Sequence, residues 1–170
     1  MGSVARQVRL LDSITADLLT VAQVQRGTLR VDMESVDPGM LIEAVVGQRY
    51  DAEVVVEDPR AIRADPRRLE QMIGNLLGNA LVHGRAPYTV RVRPHGQLVC
   101  IDVVDEGDGV PPEFRDRLFD EYSRANDKVA NGSGLGLYVV RTLAHAQGGS
   151  VEYTPRRRGG SVFTITLNAC

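Results

Sequence analysis

Asn75 and Asn79 stand one helical turn apart, with Gln71 a turn before them, among Met72, Ile73, Leu76, Leu77 and Ala80. Asparagine is a poor residue for a helix interior, so two on one face beside a packed stripe ask for a use. An amide oxygen is a hard, neutral ligand suited to Mg2+, and an amide can also hydrogen-bond phosphate or ribose. A pair of satisfied edge amides is the plainer alternative. Further on, Asp105 shares strand parity with Val99, Ile101 and Val103, so its carboxylate points to their apolar face and emerges where the strand ends. An acceptor-only group there suits the exocyclic amine of adenine and not the carbonyl of guanine. Gly107 and Gly109 let backbone approach a flat ring, although a glycine turn closing a strand is the alternative. Third, Gly132, Ser133, Gly134, Leu135, Gly136 and Leu137 run straight into a helix. A helix start offers free N–H groups and a positive dipole end to phosphate. The run is not the dinucleotide fingerprint, because Leu137 replaces its last glycine, and no Walker lysine follows.

The elements that must hold these residues follow from periodicity. Residues 4–25 carry a seven-residue beat, Val4, Leu11 and Leu18 in one column and Ile14 and Val21 in another, which reads as a helix ended by Gly27. Its seam faces either the chain's own domain or a partner helix. Residues 28–36 alternate as a strand, Asp37-Pro38 caps a helix to about Arg49, and 53–57 is a strand. Asp65-Pro66 repeats the cap and opens the asparagine helix, which runs to about Val82. Strands at 88–93 and 98–105 are joined by a turn at Pro94, His95 and Gly96. Pro111-Pro112 leads a short helix to about Tyr122, a polar stretch covers 123–131, a helix covers 135–147, and strands at 150–153 and 161–167 form a final hairpin. Without strict strand–helix alternation, the expected fold is an α/β (α+β) two-layer sandwich, a mixed sheet with helices on one face. A boundary near Gly27 divides 1–27 from 28–170.

With 170 residues, 43% hydrophobic and 25% charged, the chain suits one globular domain plus a short appended element. Twenty basic against 22 acidic side chains leave a net charge of -2, so no overall field favours nucleic acid or an anionic membrane, and phosphate chemistry must be local. Arg156, Arg157 and Arg158 have no interleaved aromatic and read as a solvated hairpin tip. Cys100 and Cys170 form no disulfide framework or CxxC pair, which suits a reducing cytoplasm, and no apolar run approaches the roughly 20 residues of a membrane span. The expectation is a soluble chain. Seventeen glycines with only 5% aromatics would suggest looseness, except that many fall in the two clusters at 107–109 and 132–136.

Taken together, the paired-asparagine helix, the strand ending in Asp-x-Gly-x-Gly, the short helix, the polar loop and Gly-x-Gly-Leu-Gly-Leu resemble the catalytic and ATP-binding domain of two-component sensor histidine kinases. That domain belongs to the superfamily of gyrase, mismatch-repair and chaperone ATPases. The resemblance covers about residues 28–167, and the first helix resembles the second helix of the family's dimerisation and phosphoacceptor bundle. It implies ATP and Mg2+ as cofactors. Asn75 would hold Mg2+, Asn79 would face the nucleotide, Asp105 would receive the adenine amine, and Gly107 and Gly109 would shape the adenine pocket. Phe119 matches the family's phenylalanine box, which anchors a lid at 123–131 whose Arg124 and Lys128 would meet phosphate oxygens. Gly132, Ser133, Gly134, Leu135, Gly136 and Leu137 would form the lid hinge and the phosphate-facing helix start.

Departures sharpen the expectation. Val82 stands where many members carry a lysine, and His83 follows where an aromatic or histidine is usual. Gln71 occupies the place of the glutamate base of the hydrolysing relatives and cannot accept a proton, which favours transfer over hydrolysis. None of His83, His95 and His145 has the setting of the family's phosphorylated histidine, so the acceptor is expected on a bundle helix outside this chain. The implied partners are that bundle, a response regulator and a second copy when the bundle is complete, with no nucleic acid. The expected location is cytoplasmic, whether or not the parent is anchored in a membrane. A serine kinase of the anti-sigma type and a nonenzymatic ATP-sensing module remain as alternatives.

Overall fold

A computed structural model describes residues 2–57, 60–123 and 133–170. Its elements are α1 (Gly2–Gln25), β1 (Glu34–Val36), α2 (Pro38–Arg49), β2 (Glu53–Val56), β3 (Ile62–Ala64), α3 (Pro66–His83), β4 (Thr89–His95), β5 (Leu98–Asp105), a 3₁₀ turn (Pro112–Arg117), α4 (Gly136–Ala146), β6 (Ser150–Pro155) and β7 (Ser161–Asn168). Five strands form one mixed sheet in the order β2-β4-β5-β7-β6, with β2 parallel to β4 and the remaining pairs antiparallel. β1 and β3 make a separate antiparallel ribbon.

Register places apolar residues in rows across one face. Val92 pairs with Ile101, Ile101 with Ile165, and Ile165 with Val151. Onto this face pack Leu69, Met72, Ile73, Leu76 and Leu77 of α3 and Val139, Val140 and Leu143 of α4, all fully or almost fully buried. The other face is polar. There Asp102 accepts from Arg93 Nε at 2.7 Å and from Thr164 Oγ1 at 2.8 Å, which satisfies a carboxylate that strand parity excludes from the core. The expected two-layer sandwich is thus present, with helices on one face.

Both aspartate–proline caps form. Asp37 accepts from Met40 N–H, and Asp65 accepts from the N–H groups of Arg67 and Arg68, in each case with proline opening the helix. Asp65 does more: its carboxylate also accepts from Asp32 N–H at 3.0 Å, and its own N–H donates to Gln147 Oε1 at 2.7 Å. The start of α3 is therefore tied to the end of α4, which sets the two helices that flank the site.

Several boundaries differ from expectation. The strand expected at 28–36 contracts to β1, and β3 was not anticipated, because three residue pairs are too short for an alternation signal. Pro94 stays within β4 opposite Val99, and Gly96, at φ 62°, makes the turn instead. The helix expected up to Tyr122 is a 3₁₀ turn that ends at Arg117. In and just beyond it, Phe114 N–H donates to Pro111 O, Leu118 N–H to Arg115 O, Asp120 N–H to Arg117 O and Ser123 N–H to Asp120 O, each across three residues.

The seam of α1 does not act as one stripe. Val21 is buried in the core and Ile14 half-buried, whereas Leu11 and Leu18 are 63% and 48% exposed, joined on the surface by Val8 and Leu19. Gly27, at φ 65°, closes the helix, with Thr28 N–H donating back to Gln23 O. Among the described residues no helix is long and apolar enough to cross a membrane.

Candidate functional site

A cavity of about 610 Å³ runs along α3. Asn75, Gly78, Asn79, Val82 and His83 line it from that helix, and Gly84 continues the wall. Nine residues separate Asn75 from Gly84, about 13 Å along a helix axis, so the cavity has two ends with different chemistry.

At one end is Asp105, 3% exposed and part of the wall. Gly107 N–H donates to its Oδ1 at 2.8 Å, which fixes the carboxylate at the last residue of β5. The other oxygen has no hydrogen-bond partner among the described residues and is not sealed from the cavity. Two glycines make room for this group. A Cβ on Gly84 would lie 2.5 Å from Asp105 Cγ, and one on Gly107 would lie 2.7 Å from Gly84 Cα. Gly109, at φ 77°, lines the cavity, and Val110 beyond it donates its N–H to the Tyr153 hydroxyl at 3.0 Å. Arg156 also turns back here, its Nη1 donating to the Asp105 carbonyl at 3.2 Å and to Glu106 at 3.3 Å. The solvated hairpin tip is therefore Arg157 and Arg158 alone, because Arg156 has carbonyl and carboxylate acceptors within reach.

At the other end, Gly134, Gly136 and Leu137 bring the start of α4 to the wall, with Ser133 beside them. Among the described residues, no side chain caps the start of this helix at Leu135 and Ser133 Oγ accepts only from Leu135 N–H, so the first-turn amides keep their capacity to bind an anion. Asn75 lies under this start. Its Nδ2 donates to Gly136 O at 3.3 Å and to Asp17 Oδ1 of α1 at 3.0 Å. Its Oδ1 has no partner among the described residues and remains accessible at the wall.

That donor set fits a divalent cation bound with phosphate. Mg2+ typically takes one or two protein oxygens, several waters and substrate phosphate oxygens. Asn75 Oδ1 and the neighbouring Asp17 carboxylate are of that kind, and among the described residues no three His, Cys, Asp or Glu groups cluster as a self-sufficient metal centre.

Between the ends, Val82 presents an apolar surface and His83 an imidazole that partial burial holds below its ordinary 6.5, hence neutral at pH 7. His83 therefore supplies no positive charge in place of a lysine. Gln71 does not reach the cavity. Its Nε2 donates to Asp17 Oδ1 and Thr20 Oγ1, and Arg68 donates to its Oε1, so it is consumed in the α1–α3 contact.

Of the residues singled out from sequence, Asn75, Asn79, His83, Asp105, Gly109, Ser133, Gly134, Gly136 and Leu137 meet at this cavity. Gly107 stands behind Asp105, Leu135 is buried in the core, and Phe119 packs its ring edge-on against Phe163 at 6.3 Å, so these three support the wall without forming it. Arg124, Lys128 and Gly132 lie outside the described residues. Sequence reading missed Gly84, Phe114, Leu118 and Ser161, and missed Ser13, Ile14 and Asp17 of α1. A buried pair four residues apart, Phe114 and Leu118, was a usable signal for one wall; Asp17 had none, because it reaches its partner across 58 residues of sequence.

Residues 64–169 match the family described as histidine kinase-, DNA gyrase B-, and HSP90-like ATPase. The signal transduction histidine-protein kinase AfsQ2 of Streptomyces coelicolor is 34% identical over 169 residues, 96% of this chain and 32% of that protein. The chain thus spans about a third of the length of that relative. Among solved structures, the histidine kinase AdeS of Acinetobacter baumannii superposes with a TM-score of 0.77 at 26% identity, covering 98% of this chain and 82% of that one. Full-length ShkA in complex with AMPPNP gives a TM-score of 0.80 at 26% identity, over 95% of this chain and 36% of that one.

Proposed function

Because the chain belongs to the histidine kinase-, DNA gyrase B- and HSP90-like ATPase family, we propose that it is the ATP-binding catalytic part of a sensor histidine kinase. It holds Mg2+ and ATP and presents the γ-phosphoryl group to a histidine on a helix bundle, from which the group passes to a response-regulator aspartate. The observation that carries this reading is the Asp105 carboxylate, fixed through one oxygen and open to the cavity through the other. It accepts from an adenine amine, whereas guanine would set a carbonyl oxygen against it. The AMPPNP complex of ShkA supports an adenine nucleotide here.

Phosphoryl transfer needs mainly positioning and neutralisation of charge. Asn75 Oδ1 would hold Mg2+, which when bound neutralises phosphate oxygens. The amides at the start of α4 would donate to the phosphate tail, Asn79 would face the nucleotide, and Arg124, Lys128 and Gly132, outside the described residues, are the proposed lid cations and hinge. With Gln71 engaged by Asp17, Thr20 and Arg68, no carboxylate base stands at its position to activate water, which favours an imidazole acceptor over hydrolysis. Residues 1–27 are proposed as the second helix of the bundle, with the exposed Leu11 and Leu18 row as its dimer face in a cytoplasmic, homodimeric parent.

Calorimetric titration with ATP and GTP in Mg2+, on the wild type, Asp105→Ala and Asn75→Ala, tests the site. ATP is expected to bind at least about a hundredfold more tightly than GTP, as when a buried polar group is left unpaired, and Asp105→Ala should abolish the preference. Equal binding of GTP by the wild type overturns the assignment. Adding a separate bundle segment that carries the histidine, with γ-labelled ATP, tests the activity: label on that histidine supports the kinase reading. Label on a partner serine, or tight binding with no transfer, overturns it.

A further inference from the structure

Which end of an asparagine amide faces a ligand is decided by the partners of the other end, since the oxygen and nitrogen are nearly equal in size and opposite in polarity. Around Asn75 both available partners are acceptors only, the Asp17 carboxylate at 3.0 Å and the Gly136 carbonyl at 3.3 Å. Turning the amide over would set its oxygen against both of them. The amide hydrogens are thereby committed, and the oxygen is left for the cavity.

Asp17 is itself held firmly. It is 4% exposed, and the same Oδ1 accepts from Gln71 Nε2 at 3.0 Å. Gln71 is fixed in turn by Thr20 and Arg68, and Arg68 reaches on to Gln23 Oε1 at 3.0 Å. This chain of hydrogen bonds joins α1 to the face of α3 and delivers one carboxylate to the phosphate end of the cavity. The second oxygen of Asp17 has no partner among the described residues and lies at the cavity wall.

We propose that Asp17 is a positioning residue for the metal end of the site: it turns the Asn75 oxygen into the cavity and sets a negative charge behind it, so that ATP binds with its cation and only poorly without it. This rests on the ATP reading above. Two consequences follow from charge. A carboxylate beside the phosphate end attracts Mg2+ and repels the bare polyanion, so it widens the difference between ATP with Mg2+ and ATP alone. By reciprocity, metal-loaded nucleotide favours the docked position of α1.

The measurement is the ratio of ATP dissociation constants in EDTA and in saturating Mg2+, for the wild type, Asp17→Ala, Asp17→Asn and Val21→Ala. Asp17→Ala is expected to compress the ratio about tenfold, the size of one charge-assisted hydrogen bond. Asp17→Asn keeps an acceptor for the Asn75 amide but loses the charge, so its ratio falls between the two. Val21→Ala weakens the apolar packing of α1 outside the hydrogen-bond chain that holds Asp17 and should leave the ratio at its wild-type value. An unchanged ratio in Asp17→Ala, or equal compression in Val21→Ala, overturns the proposal while leaving the ATP site intact. If the wild type binds ATP in neither condition, the ATP reading itself fails and takes this inference with it.

Discussion

Asp17 meets two opposed demands. Burial raises its pKa above the ordinary 3.8, although the amides of Asn75 and Gln71, which favour the charged form, pull the other way. The folded chain therefore binds this proton more tightly than the unfolded chain, and the contribution of Asp17 to stability falls as pH rises through that window. At neutral pH the ionised carboxylate is a cost to the fold that its role at Asn75 would justify. Asp17→Asn is expected to raise the melting temperature at about pH 7, with the gap to wild type narrowing as pH is lowered toward 4. Differential scanning calorimetry across that range checks it, and a lower melting temperature at pH 7 would contradict the sign. Asn75 and Asp105 were legible from sequence because amides inside a helix and a carboxylate of apolar parity are locally anomalous. Gly84 was not. Its reason, a Cβ position 2.5 Å from Asp105 Cγ, exists only once α3 and β5 are packed together.

The helix α1 is the element whose two readings were left open, and packing on the chain's own domain holds for one column of it. Val21 belongs to the core, whereas Leu11 and Leu18 face away from the domain. Val21→Ala should cost about 2 kcal/mol in urea unfolding, while Leu18→Ser should stay within about 0.5 kcal/mol of wild type. Similar losses for both would mean that the exposed column packs on the domain after all. The polar layer of Asp17, Thr20 and Gln23 explains why a heptad pattern alone did not reveal the docking, since what holds α1 on α3 includes hydrogen bonding from a face that reads as solvated. Capped helices were legible nearly to the residue, because Asp37-Pro38 and Asp65-Pro66 act within one turn. The β1–β3 ribbon was not, because its pairing depends on segments brought together by the rest of the fold.

At the scale of the whole molecule, one apolar layer between sheet and helices carries the site. Ile165, fully buried between Ile101 and Val151 in the central rows, stands for that layer. Ile165→Ala is expected to cost about 2–5 kcal/mol, read as a lower urea midpoint in a single transition, and saturating Mg2+ with ATP should recover part of it. A loss under about 1 kcal/mol would show that sheet and helices do not share one core. The order of motifs, the strand parity of Asp105, the helix caps and the glycine clusters were determined by the sequence alone, because each acts within a few residues of itself. Tertiary structure alone decided that Gly84 shelters the Asp105 carboxylate, that Gln71 is spent on α1, and that Asp17 reaches Asn75. Those contacts join residues from 21 to 58 positions apart, and no local preference encodes a distance that only the packed core can close.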